Sequence, residues 1–92
     1  MGQEIKNDSQ SGQFILDTNG KESFLKYKIS NHSIDLYSTY VPKELRGQKL
    51  GDKLVEYSLE FAREHHLKII PSCPFVEKYF SKHPEYTDFL SN

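Results

Sequence analysis

One run governs what this chain can become: Val41-Pro42-Lys43-Glu44-Leu45-Arg46-Gly47-Gln48-Lys49-Leu50-Gly51, leading straight into an amphipathic segment. Pro42 has no N–H for a sheet ladder and ends the strand before it. Gly47 and Gly51 allow a tight turn and a close approach to a ligand. Leu50, Leu54, Tyr57, Phe61 and Ala62 then recur at helical spacing. The run predicts a strand end, a short loop and a helix from about Gln48 to His65. At such a junction the first-turn amides lack intrahelical acceptors and point outward, with the positive end of the helix dipole behind them. That arrangement holds anions, phosphate above all. Arg46 and Lys49 add two cations beside it. The plainer alternative is a helix N-terminus that contains two glycines.

The flanking segments predict the surrounding fold. Gln13 to Asp17 carries the apolar run Phe14, Ile15, Leu16, suited to a first strand. Asn19-Gly20 marks a two-residue hairpin, because both residues tolerate positive φ. Ser23 to Ile29, rich in aromatic and β-branched residues, predicts a second strand. Asn31-His32 is a second turn, and Ile34 to Val41 alternates as a third strand. Leu67 to Ile70, ended by Pro71, reads as a buried strand parallel to the third, reached by a right-handed crossover. A shorter helix is expected from Pro74 or Phe75 to Ser81, with proline in its first turn. Pro84 to Asn92 keeps Tyr86, Phe89 and Leu90 and is expected to fold back on the core. Residues 1–12 are polar and read as a flexible, frayed N-terminal segment, leaving 13–92 as one domain. The fold class is α+β: an antiparallel meander, then a β-α-β unit with the loop at its helix start, then a short C-terminal helix.

Composition narrows the classes further. With 92 residues, a single domain with a modest core is expected. No apolar run approaches the roughly 20 residues that span a bilayer, and Met1 to Ser11 lacks the apolar centre of a signal peptide. The net charge of −1 provides no global basic field, so neither nucleic acid nor a membrane is an expected partner. Cys73 is the only cysteine, which excludes an internal disulfide and leaves a thiol-redox role without a resolving partner. A reducing cytoplasm is the simplest setting. His65-His66 does not suggest a metal, because adjacent helical residues face different ways.

Three phosphate loops compete for the run at 41–51. A Walker-type loop needs Gly-Lys-Ser/Thr, which Lys49-Leu50 does not supply. A dinucleotide site needs its glycines after the first strand of a doubly wound sheet, whereas three antiparallel strands come first here. The third option resembles the pyrophosphate loop of GNAT-type N-acetyltransferases, Arg/Gln-x-x-Gly-x-Gly/Ala, at a junction of this kind. Arg46 and Gly51 match that pattern, and Lys49 replaces the middle glycine. The chain is similar in particular to minimal YjdJ-type members. Val41-Pro42, Leu45-Arg46-Gly47, Pro71-Ser72-Cys73-Pro74-Phe75-Val76, Tyr79 and Pro84-Glu85-Tyr86 occur in the same order. Ser38-Thr39-Tyr40 departs from the subfamily, which commonly carries a histidine before that threonine.

The resemblance implies an acetyl-CoA-dependent N-acetyltransferase acting on a primary amine, without a metal, as a monomer or weak homodimer. It places the pyrophosphate on Arg46, Gly47, Gln48, Lys49, Leu50 and Gly51, and the pantetheine arm along the backbone of Tyr40 and Val41. It implies Cys73 and Tyr79 as catalytic candidates, either of which would protonate the departing thiolate, with Cys73 also a candidate transient acetyl acceptor. Each has a plainer alternative: a buried inert cysteine, a tyrosine packed in the core. The competing function is a CoA or acyl-CoA binding module without catalysis, which the absent histidine favours.

Overall fold

Turn chemistry sets the sheet. Asn19 and Gly20 take φ of 53° and 86°, the mirror-image turn whose twist matches the strands it joins. It connects β2 (Gln13–Thr18) to β3 (Lys21–Ser30). A second two-residue reversal, with Asn31 at φ 56°, brings in β4 (Ser33–Tyr40). Helix α1 (Leu50–Glu64) then returns the chain to β5 (Lys68–Pro71), parallel to β4. Helix α2 (Pro74–Lys82) follows at once, with Pro74 in its first turn. The computed structural model describes residues 3–91. Its sheet runs β1-β2-β3-β4-β5, antiparallel except for the last pair.

The N-terminal expectation needs correction. From Gln3 to Asp8 the supposedly frayed segment forms β1, paired along its length with β2. Its polar composition is that of an edge strand, where charged side chains discourage further pairing. Ile5 nevertheless packs on the core, and Asn7 accepts the Tyr27 hydroxyl.

The core lies between one sheet face and the helices. Phe14, Leu16, Leu25, Ile34, Leu36 and Ile69 are fully buried there. Phe14 sits at the centre, its ring centroid 4.5 Å from Tyr27, 5.2 Å from Tyr57 and 5.3 Å from Phe61. The buried stripe of α1 is wider than the spacing suggested. Val55, Ser58 and Leu59 join Leu50, Leu54 and Ala62, while Tyr57 and Phe61 are half-buried. The helix is covered on two sides, by the sheet and by α2, so more of its surface is buried. Ser58 is satisfied there by donating to the Val55 carbonyl at 2.6 Å.

Two details shape the site. Between β3 and β4 the register shifts: Lys26 faces Ser38 but Tyr27 faces Leu36, so Tyr37 is an extra, bulged residue. The β4–β5 ladder ends at Leu36 opposite Pro71, and Cys73 N–H donates to the Leu36 carbonyl at 2.9 Å just beyond it. Past that point the strands part. Residues 38–40 stay paired to β3 on one side and have no strand partner on the other. The C-terminal segment folds back as expected. A 3-10 turn over Pro84–Phe89 lays Tyr86, Phe89 and Leu90 on the core, and Ser91 N–H donates to the Ile69 carbonyl at 2.9 Å. No described helix is long and apolar enough to cross a membrane.

Candidate active site

A cavity of about 560 Å³ opens where the two parallel strands part. Thr39, Tyr40 and Val41 from the end of β4 form one wall; Leu45, Arg46, Gly47 and Lys49 from the loop form a second. The first turn of α1 (Leu50, Gly51, Asp52) and Phe75 of α2 close it. Most of this surface is apolar, with cations only at the loop side. The walls are thus a greasy channel with a charged end.

The charged end is built by the loop backbone. Pro42 starts a 3-10 turn over Lys43–Leu45. Gly47 then turns at φ 90° with open space where a side chain would stand. Lys49, the N-cap of α1, lies in the left-handed region at φ 62°, ψ 30°. The helix therefore starts at Leu50 rather than near Gln48, because a left-handed residue cannot be its first helical one. The first i→i−4 bond is from Lys53 N–H to the Lys49 carbonyl at 3.2 Å. The amides of Leu50, Gly51 and Asp52 thus precede the ladder. Arg46 is anchored by Nε donating to the Val41 carbonyl at 3.0 Å, which leaves its terminal nitrogens free to turn to a ligand. Among the described residues, neither Arg46 nor Lys49 pairs with a carboxylate. An anion fits this end, and an elongated, largely apolar chain fits the rest. Asp52 is the one lining group that would repel a phosphate.

Most of the loop residues singled out from the sequence come together here. Tyr40, Val41, Arg46, Gly47, Lys49, Leu50 and Gly51 line the cavity; Gln48 is exposed beside it and does not. Leu50 is 1% exposed, so it belongs to the core as well as to the base of the cavity. Gly51 has a reason beyond ligand approach. A Cβ there would come within 2.6 Å of Phe75 Cζ, so the glycine makes room for the ring.

Cys73 and Tyr79 lie behind the wall. Cys73 is 6% exposed, and its Sγ is 3.3 Å from Thr39 Oγ1, a residue that does line the cavity. Burial pushes the thiol up. The Thr39 hydroxyl and the backbone N–H groups of Val76, Phe75 and Thr39 outweigh that and hold it below the ordinary thiol value. Tyr79 is also buried, but its hydroxyl turns to Glu56 Oε2 on α1, 3.4 Å away. Burial first, then the charge of Glu56, push its phenol far above the usual value. Its ring stacks on His83 at 4.2 Å. Glu44, in the 3-10 turn of the loop, is held by Lys21 at 2.7 Å. Thr39, Asp52 and Phe75 were not signalled as site residues. Thr39 and Phe75 reach the site only because the bulge and the parting strands bring β4 and α2 together across it.

The family model for GCN5-related N-acetyl-transferase matches residues 13–89. The chain belongs to that family. Its fold is that of a GCN5-like protein from Staphylococcus aureus solved in solution by NMR: TM-score 0.78 and 34% identity, covering 99% of this chain and 90% of that one. Protein NATD1 of Mus musculus is 30% identical over 83 residues, covering 87% of this chain and 76% of that protein. Protein NATD1 of Danio rerio is 27% identical over 89 residues, covering 91% and 81%. The small α+β GNAT fold is thus a property of this chain, and the cavity occupies its loop–helix junction.

Proposed function

We propose that the protein transfers an acetyl group from acetyl-CoA to a primary amine, as a minimal GNAT of the YjdJ type. One observation carries the proposal: a single cavity joins the amide cradle at the start of α1 to the unpaired edge of β4. Acetyl-CoA, when bound, supplies an activated acyl group and a thiolate leaving group. The loop from Arg46 through Gly47, Gln48, Lys49, Leu50 and Gly51 holds the pyrophosphate with backbone N–H groups and two cations. The backbone of Tyr40 and Val41 pairs with the extended arm as a strand would. An N–H of that edge also polarises a carbonyl placed against it.

The proton returned to the leaving sulfur is assigned to Cys73 rather than Tyr79. The thiol is the stronger acid of the two, and the phenol is tied to Glu56. Cys73 sits behind Thr39, so Thr39 is the contact through which the thiol reaches the cavity. A role for Cys73 as transient acetyl acceptor would leave a trappable acyl–enzyme, and full activity in Cys73→Ala would eliminate it. A lone thiol of this kind suits a reducing cytoplasm.

A second reading is supported by the serine at position 38: with no histidine among the lining residues, the fold would hold CoA without catalysing transfer. Calorimetry with CoA and acetyl-CoA, followed by an acetylation assay over an amine panel, separates the two. Binding with product formation supports the transferase. Equal binding without product supports the binding module, and no binding at millimolar concentration rejects both.

A further inference from the structure

The sheet has a second face that no described element covers. Phe24, Lys26 and Lys28 alternate with the buried Leu25 and Tyr27 along β3 and therefore point there. Tyr40 stands opposite Phe24 in the register, and the two rings stack with centroids 5.3 Å apart. Lys26 Nζ lies 5.4 Å from the Phe24 centroid, and Lys28 Nζ lies 5.4 Å from that of Tyr37, the bulged residue. Tyr37 and Tyr40 are 39% and 44% exposed. The result is a strip of alternating rings and ammonium groups along β3 and β4. One end of it, Tyr40, is also a wall of the cavity.

The charges on the strip are unspent. Among the described residues, neither Lys26 nor Lys28 pairs with a carboxylate. Asp35 stands directly opposite Lys28, yet that ammonium lies over Tyr37, and one oxygen of Asp35 is buried with no hydrogen-bond partner. Other carboxylates on this face, Glu4, Asp17 and Glu22, gather with Lys6 just beyond Phe24, at the Tyr40 end of the strip.

We propose that this strip docks the acceptor, and that the acceptor is an extended acidic peptide segment whose amine passes Tyr40 into the cavity; the proposal rests on the acetyl-transfer reading above. Lys26 and Lys28 are two residues apart on one strand, roughly 6.8 Å, which is the spacing of alternate side chains in an extended peptide. Ammonium groups resting on rings exchange a modest cation–π contact for a charge-assisted bond when carboxylates arrive. The rings then offer apolar contact to the intervening residues. A single-stranded nucleic acid is less well matched, because it binds through many neutralised phosphates and the strip has two ammonium groups to give.

The test is fluorescence anisotropy with a labelled Asp/Glu-rich peptide of about twelve residues, carrying one lysine and able to span a strand. A lysine-rich peptide and an oligothymidylate of equal length serve as competitors. The acidic peptide is expected to bind the intact protein and to weaken roughly tenfold in Lys26→Glu/Lys28→Glu, the loss expected for two exposed charge pairs. A smaller loss is expected in Lys26→Gln/Lys28→Gln, with CoA affinity unchanged in both. No binding of the acidic peptide, equal binding to the double variants, or tighter binding of the oligothymidylate overturns the proposal. A CoA titration of the same sample separates the two levels: CoA binding without peptide binding removes the strip alone, whereas loss of CoA binding removes the acetyl-transfer reading beneath it.

Discussion

Lys49 is where the loop departs furthest from what its side chain prefers. A lysine at φ 62°, ψ 30° is held in a region that costs an L-residue about 1–2 kcal/mol and costs glycine nothing. The substitution Lys49→Gly removes that cost but loosens the unfolded chain, for a net gain of about 1 kcal/mol. A domain of this size should then melt roughly 4–8 °C higher, and Lys49→Ala, which stays strained, should not. Calorimetric affinity for CoA should move the other way, falling about two- to fivefold in both variants, because Lys49 lines the cavity and its charge is lost. The sequence showed that Lys49 replaces a glycine; only the backbone shows that the position is left-handed. Cys73 provides a pH test at the same scale. Its thiol is held below the ordinary value, so the thiolate is favoured in the folded protein. That stabilisation is present above the ordinary thiol range and is lost as pH falls through the lowered value. The pH profile of alkylation by iodoacetamide, scaled to its plateau, should have its midpoint below that of the unfolded chain. Thr39→Val, which deletes the hydroxyl beside Sγ, should move the midpoint back up.

At the scale of elements, the contact between the first turns of α1 and α2 decides how open the cavity is. Gly51→Ala gains about 1 kcal/mol of helix propensity, but its methyl would occupy the place of the Phe75 ring. The ring is 40% exposed and free to swing aside. Melting temperature should therefore change little, while CoA binding weakens as the ring is pushed into the cavity it lines. Phe75→Ala in the same chain should restore binding, and a double-mutant cycle measures the coupling. Strands β2 to β5 and both helices were legible from turn residues and periodicity, because Asn19-Gly20, Pro42 and Pro71 punctuate them sharply. β1 was not, since an edge strand is polar on purpose and reads like a tail. Nor was the bulge at Tyr37, whose extra residue leaves no mark on the alternation around it. The bulge and the end of the β4–β5 ladder bring Thr39 to Cys73, so the loop half of the site was readable and the thiol half was not.

For the molecule as a whole, stability and function share one core. Phe14 touches rings on β3 and α1 and is fully buried. Phe14→Ala should cost about 3–5 kcal/mol, a large part of the 5–15 kcal/mol that holds a typical domain together. Thermal unfolding followed by circular dichroism should show a much lower melting temperature or an unfolded chain at room temperature. The cavity meets that core at its base, through Leu50, Val41 and Leu45. Loop variants can therefore remove ligand binding while the fold persists, which makes the most direct measurement interpretable. Isothermal titration of the intact protein with acetyl-CoA, beside Arg46→Ala of unchanged melting temperature, asks whether the cradle at 46–51 is a donor site. Saturable binding that is clearly weaker in Arg46→Ala is the expected result. No heat at millimolar acetyl-CoA, or equal affinity in the variant, would contradict it.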